Sequence, residues 1–190
     1  MTKESQNVKK FMLAFKQECP SKPIQIDEKT AKLRAKLILE EAFETIVKGL
    51  GLEVVISDGG INGDFTENFV TLTESVVDKK LWQVDFLKFK EVDLVELADG
   101  VSDVLVVTEG TAIACGIDSE PIHEAVSNSN LSKFWTTKEI ESSPIAKDLV
   151  FEAVDDDKFI ARNSDGKITK SPGYISATPL IEEILKAQSK

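Results

Sequence analysis

The stretch VDLVELADGVSDVLVVTEGTAIACGI, beginning at Val92, constrains this chain more than any other part of it. Read as a helix from about Val92 to Cys115, it is apolar nearly all round, and such a helix needs cover on several sides rather than along one stripe. That demand points to an all-α architecture, a helical bundle. Gly100 and Gly110 weaken the helix propensity of the stretch, a loss that close approach of another helix would offset.

Other segments supply candidate neighbours. Val8, Phe11, Met12 and Phe15 recur at helical spacing within 8–18, before Cys19-Pro20 and Pro23 break the pattern. A second helix is expected from about Asp27 to Lys48, with Asp27 or Thr30 near its start and Gly49 and Gly51 past its end. Phe69, Leu72, Val76, Val77 and Lys80 predict a helix within 66–89, with an ambiguous end at Trp82–Phe89. Ser119 opens another over 119–135, and a last short helix falls around Leu180–Ala187. The β-branched EVVIS and turn-rich DGGINGD of 52–65 read as a small β-hairpin or an irregular loop, and Asn163-Ser164-Asp165-Gly166 as a turn. The whole reads as one domain over 1–190, with an insertion at about 52–90 and a C-terminal tail from about 144.

Charge and composition narrow the function classes. A formal net charge of -10 disfavours binding to a nucleic-acid polymer, which depends on dense Lys/Arg contacts, and permits cation binding. The apolar runs around Val104–Val107 and Leu149–Val154 are too short to span a bilayer, and MTKESQNVKK has no apolar signal core, so a cytoplasmic protein without membrane contact is expected. Cys19 and Cys115 have no zinc-type spacing, and with His123 the single histidine, thiolate or imidazole metal chemistry is not expected. The run Asp58–Asp64 has Gly60 at the third position of a calcium loop and Phe69 at the twelfth, so it reads as a turn.

Carboxylates carry the chemical signal. In LILEEAFETIVKG, Glu41 and Glu44 are three residues apart and Glu40 and Glu44 four apart, which brings them toward one helix face. Glu96, Asp99 and Asp103 form a second acidic stripe on the apolar helix that begins near Val92. Like charges gathered in apolar surroundings are unfavourable without a countercharge, and carboxylate oxygens favour a hard ion, Mg²⁺ or Mn²⁺. The bland alternative is two exposed helix faces, with Arg34, Lys36 or Lys48 pairing the acids.

The sequence resembles the all-α nucleoside triphosphate pyrophosphohydrolase superfamily, which includes MazG-type proteins, dimeric dUTPases and phosphoribosyl-ATP pyrophosphohydrolases. Its Glu-Glu-x-x-Glu and Glu-x-x-Asp hallmarks appear as Glu40-Glu41-Ala42-Phe43-Glu44 and Glu96-Leu97-Ala98-Asp99. Arg34–Leu37, DGVSDVLVV, SNSNLSKF and RNSDGKITKSPGY resemble further elements of phage- and bacterial-type members, in the same order. The family's N-terminal Phe-His pair is Phe11-Met12 here, which puts in doubt a substrate contact through that histidine.

The resemblance implies Mg²⁺-dependent cleavage between the α- and β-phosphates of a nucleoside triphosphate. It implies metal binding by Glu41, Glu44, Glu96 and Asp99, with Asp103 as a further ligand or a partner that orients one. Glu40 becomes the candidate for positioning or deprotonating water. Asn130, Lys133, Lys167 and Lys170 become candidate substrate-binding residues, and a homodimer or homotetramer is expected. Phosphoribosyl-ATP hydrolysis and a noncatalytic nucleotide- or metal-binding regulator are the alternatives.

Overall fold

Thr2 opens the first helix, its hydroxyl accepting the Ser5 N–H at 3.2 Å, so α1 spans Lys3–Ala14 and begins ahead of the expected 8–18. The computed structural model describes residues 1–57, 71–79 and 82–190. The chain divides into two compact units, one of Met1–Gln25 with Ala112–Lys190 and the other of Ile26–Thr111.

In the Ile26–Thr111 unit, Asp27 caps α2 (Glu28–Glu44) by accepting the Thr30 N–H at 2.7 Å. The helix then widens into a π-helical turn over Thr45–Gly49, closed by Leu50 N–H donating to the Thr45 carbonyl at 2.9 Å. Next come β1 (Leu52–Ser57), the short α3 (Glu74–Asp78), β2 (Gln83–Phe89) and α4 (Leu94–Ala114), whose last residues, from Ala112, are counted with the other unit. β1 and β2 pair antiparallel from Leu52 opposite Phe89 to Ser57 opposite Gln83, with an irregularity between Leu52 and Val54.

That pairing corrects two expectations. The hairpin is not contained within 52–65, because its second strand comes from 83–89. The helix expected within 66–89 is reduced, among the described residues, to Glu74–Asp78. The β-branched run Val54-Val55-Ile56 fits a pleated ribbon, and pairing with it overrides whatever helical preference Gln83–Phe89 has. Phe69, Lys80 and the Asp58–Asp64 turn lie outside the described residues.

In the other unit, Val8 and Met12 of α1 pack with Ile113 and Ala114 in a small core. Burying a side chain such as Met12, 2% exposed, contributes about 1.5–3 kcal/mol. The unit continues with α5 (Glu120–Leu131), α6 (Thr137–Ser142), the hairpin β3 (Val150–Asp155) and β4 (Lys158–Arg162), and α7 (Thr178–Gln188). Trp135 is its largest fully buried side chain, donating Nε1–H to the Thr169 carbonyl at 3.0 Å and meeting Phe151 edge-on. The fold is mostly helical, and the β3–β4 hairpin is an addition to the single small hairpin expected.

Candidate active site

The two acidic motifs meet because two glycines let backbone lie against backbone. A Cβ on Gly100 would stand 2.5 Å from Thr45 Oγ1, and one on Gly49 would stand 2.7 Å from Leu97 Cα. No side chain fits at either position, so α4 around 97–100 packs directly on the π turn at 45–49. Asp93 N–H donates to the Gly49 carbonyl at 3.0 Å, fixing the start of α4 to the end of that turn. Thr45 also ties the turn back to the first motif, its hydroxyl donating to the Glu41 carbonyl at 2.7 Å.

The electrostatics show the result. Glu41 is half-buried, and its carboxyl is pushed above the ordinary range, first by burial and then by the charges of Asp103, Glu44 and Glu40. Lys48 answers them: its ammonium donates to Glu44 at 2.5 Å and is held above its usual range by that hydrogen bond, with Glu96 and Glu41 adding to the effect. One lysine therefore stands within the field of carboxylates from both motifs. Glu40 pairs with Lys36 at 3.3 Å. Arg34 is buried seven residues before Glu41, on the same helix face.

Glu40, Glu44, Glu96 and Asp99 are exposed, and Asp103 is half-buried. The acids are thus less embedded than their apolar neighbours in sequence suggest, because several of those neighbours are themselves exposed: Leu39, Phe43, Val95 and Val101. Among the described residues, no group of three or more His, Cys, Asp or Glu side chains is drawn together tightly enough to hold a metal ion. The donor chemistry nevertheless fits a hard divalent cation, since every candidate ligand offers carboxylate oxygen. Exposed ion pairs are worth about 0.2–1 kcal/mol, so Lys36 and Lys48 are weak competitors for Glu40 and Glu44.

The expected substrate-binding residues lie in the other unit. Asn130 is exposed at the end of α5 and accepts a hydrogen bond from Lys133 Nζ at 2.7 Å. Lys170 lies over the ring of Tyr174, 3.9 Å from its centroid. Lys167 is exposed in the Asn163 turn, where Asn163 Oδ1 accepts its backbone N–H at 2.9 Å. Sequence reasoning missed Thr45, Gly49 and Tyr174 as parts of these arrangements. A threonine and a glycine at a helix end carry no chemical signature, and Tyr174 stands in a segment without helical or strand period. Trp135, fully buried against Phe151, is a packing residue.

Compared with known protein families, residues 8–130 match the phosphoribosyl-ATP pyrophosphohydrolase family, a span that holds both acidic motifs and ends at Asn130. No curated protein matches the chain.

Proposed function

The chain belongs to the phosphoribosyl-ATP pyrophosphohydrolase family, within the all-α NTP pyrophosphohydrolase superfamily, and from that premise we propose that it cleaves a nucleoside triphosphate between its α- and β-phosphates. The products are a nucleoside monophosphate and pyrophosphate, the role is house-cleaning of the nucleotide pool, and the cofactor is Mg²⁺, with Mn²⁺ able to replace it. The observation that carries this reading is the glycine-mediated contact of α4 with the π turn, which sets Glu41 and Glu44 in the same field as Asp103 and Glu96.

In this reading Glu41, Glu44, Glu96 and Asp99 hold the metal, and Asp103 is a further ligand or orients one. A bound divalent ion supplies neutralisation of phosphate charge and a lower pKa for water. Glu40 takes the proton of the attacking water, a role open to a carboxylate whose ion pair with Lys36 is weak and exposed. Asn130, Lys133, Lys167 and Lys170 engage the substrate's phosphates. A second reading, hydrolysis of phosphoribosyl-ATP, is favoured by the description of the matched family itself.

The test is to incubate the purified chain with Mg²⁺ and canonical, deoxy, modified and phosphoribosyl nucleotides, and to identify products by mass. Monophosphate with pyrophosphate is the expected outcome. Tight nucleotide binding without turnover would make the chain a noncatalytic regulator. Glu40→Gln should lower turnover by about 10²–10⁴-fold while metal and nucleotide still bind. Glu41→Gln and Asp99→Asn should lose Mg²⁺-dependent pyrophosphate release, and retained activity with unchanged metal affinity removes the residue from the metal site.

A further inference from the structure

The segment from Ser171 to Ile175 is fastened to the end of α5 and to α6. Ser171 Oγ donates to the Ser132 carbonyl at 3.2 Å, Ile175 N–H to Ser132 Oγ at 3.0 Å, and Gly173 N–H to Glu139 Oε1 at 2.8 Å. Ser129 Oγ donates to the Ile175 carbonyl at 2.8 Å and lies 3.2 Å from the Tyr174 hydroxyl. Ser129 and Ser171 are buried, so these hydroxyls are structural groups with their hydrogen bonds made. Tyr174 is thereby held at one position against α5.

That position determines where a lysine goes. Lys170 Nζ rests 3.9 Å from the Tyr174 ring centroid, a cation–π contact worth about 0.5–1 kcal/mol at an exposed site. Lys133 follows Ser129, whose hydroxyl meets Tyr174, by four residues at the end of α5, about one turn on along the same side. Among the described residues neither lysine forms an ion pair with a carboxylate, although the chain carries 33 acidic residues against 23 basic ones. Lys133 takes a neutral partner instead, the amide oxygen of Asn130. One ammonium group thus lies over the held aromatic ring, and a second stands at the adjoining end of α5.

We propose that Tyr174, on a segment fastened to α5 through the backbone of Ile175, is a positioning residue whose ring holds Lys170 near Lys133 so that the two ammonium groups bind the phosphoryl groups of a polyphosphate. The inference rests on the pyrophosphohydrolase reading for its choice of anion, and it assigns a role to a residue outside the family match. Adjacent phosphoryl groups suit the pair, because each offers several strong acceptor oxygens to a charged N–H donor. Tyr174 acts through Lys170 rather than by touching the anion.

The probe is inorganic pyrophosphate, titrated calorimetrically into the full chain without metal at low salt, with acetate as the reference anion. Wild type should bind pyrophosphate in preference to acetate. Lys170→Met, Lys133→Met and Tyr174→Leu should each weaken binding roughly 10-fold, for loss of one charge-assisted contact. Tyr174→Phe keeps the ring and should stay within about 3-fold of wild type by the same argument, while Lys147→Met, at an exposed site elsewhere, should change nothing. Absent pyrophosphate binding, or equal affinity in wild type, Lys170→Met and Lys133→Met, overturns the proposal. So does a folded Tyr174→Leu with wild-type affinity. If Tyr174→Leu loses its circular dichroism, Tyr174→Phe decides the tyrosine's role, since affinity as low as that of Lys170→Met overturns it and affinity near wild type supports it. Pyrophosphate binding through these residues in a chain that cleaves no nucleotide would sink the proposed function and leave this site standing. Cleavage with binding indifferent to them would do the reverse.

Discussion

At Gly100 a single methyl group separates contact from collision. Alanine is the better helix former by about 0.8–1.0 kcal/mol, yet its Cβ would lie 2.5 Å from Thr45 Oγ1 and 3.0 Å from Thr45 Cα. Overpacking of this kind costs about 1–3 kcal/mol, so Gly100→Ala should lower stability in urea denaturation. A variant as stable as wild type would mean that the two segments are not in close contact. Glu139 presents a different balance. Burial pushes its carboxyl up, but the Thr136 N–H and hydroxyl, the Gly173 N–H and the Ser171 hydroxyl together bring it below the ordinary 4.5. A carboxyl lowered in the folded state contributes stability above its unfolded value, and that contribution is lost as pH falls through the folded one. The thermal stability of wild type should therefore fall as pH drops below the ordinary 4.5, and Glu139→Gln should show a smaller fall. An unchanged pH response in Glu139→Gln would remove that carboxylate from the acid sensitivity.

Elements in this chain follow local signals where those signals are self-sufficient. Asp27 caps α2 as its position predicts, and α4, α5 and α7 lie within a few residues of the expected spans. α6 was not among the expected helices, although its start carries a local signal: Thr136-Thr137-Lys138-Glu139 is a capping box, with Thr136 and Glu139 bonding each other's backbone N–H. Strands were not legible in the same way, because β2 finds its partner across the span from 57 to 83 and β3 finds β4 only through a turn. The β3–β4 hairpin depends on Trp135, whose backbone bridges Phe159 at 2.9 Å in both directions while its ring sits fully buried against Phe151. Trp135→Ala should cost about 3–5 kcal/mol. In hydrogen exchange it should release the amides of Val150–Arg162 first, and uniform loss of protection along the chain would show that the tryptophan has no special bearing on the hairpin.

At the scale of the whole molecule, the apolar surface is the dominant fact. Leu94 is 75% exposed, Val95 79% and Leu105 63% along α4, although a helix apolar nearly all round is ordinarily buried. Each such side chain gains about 1.5–3 kcal/mol on burial, so a second copy of the chain is the expected cover, in a homodimer or homotetramer. Light scattering should give a multiple of 20.9 kDa, and Leu105→Glu should shift it toward the monomer. A monomer at every concentration would sink that expectation. No helix among the described residues is long and apolar enough to cross a membrane, as the short apolar runs indicate. By itself the amino-acid sequence determined the family, the main helices and the acidic residues, because helical periodicity, caps and i, i+3, i+4 spacing are local properties written in consecutive positions. Only the tertiary structure decided that Gly49 and Gly100 set the two acidic motifs against each other, that Lys48 stands among them, and that the segment fastened to α5 through Ile175 sets Tyr174 beneath Lys170. Those outcomes depend on contacts between residues far apart in the chain, where distance in space is set by packing and no local pattern records it.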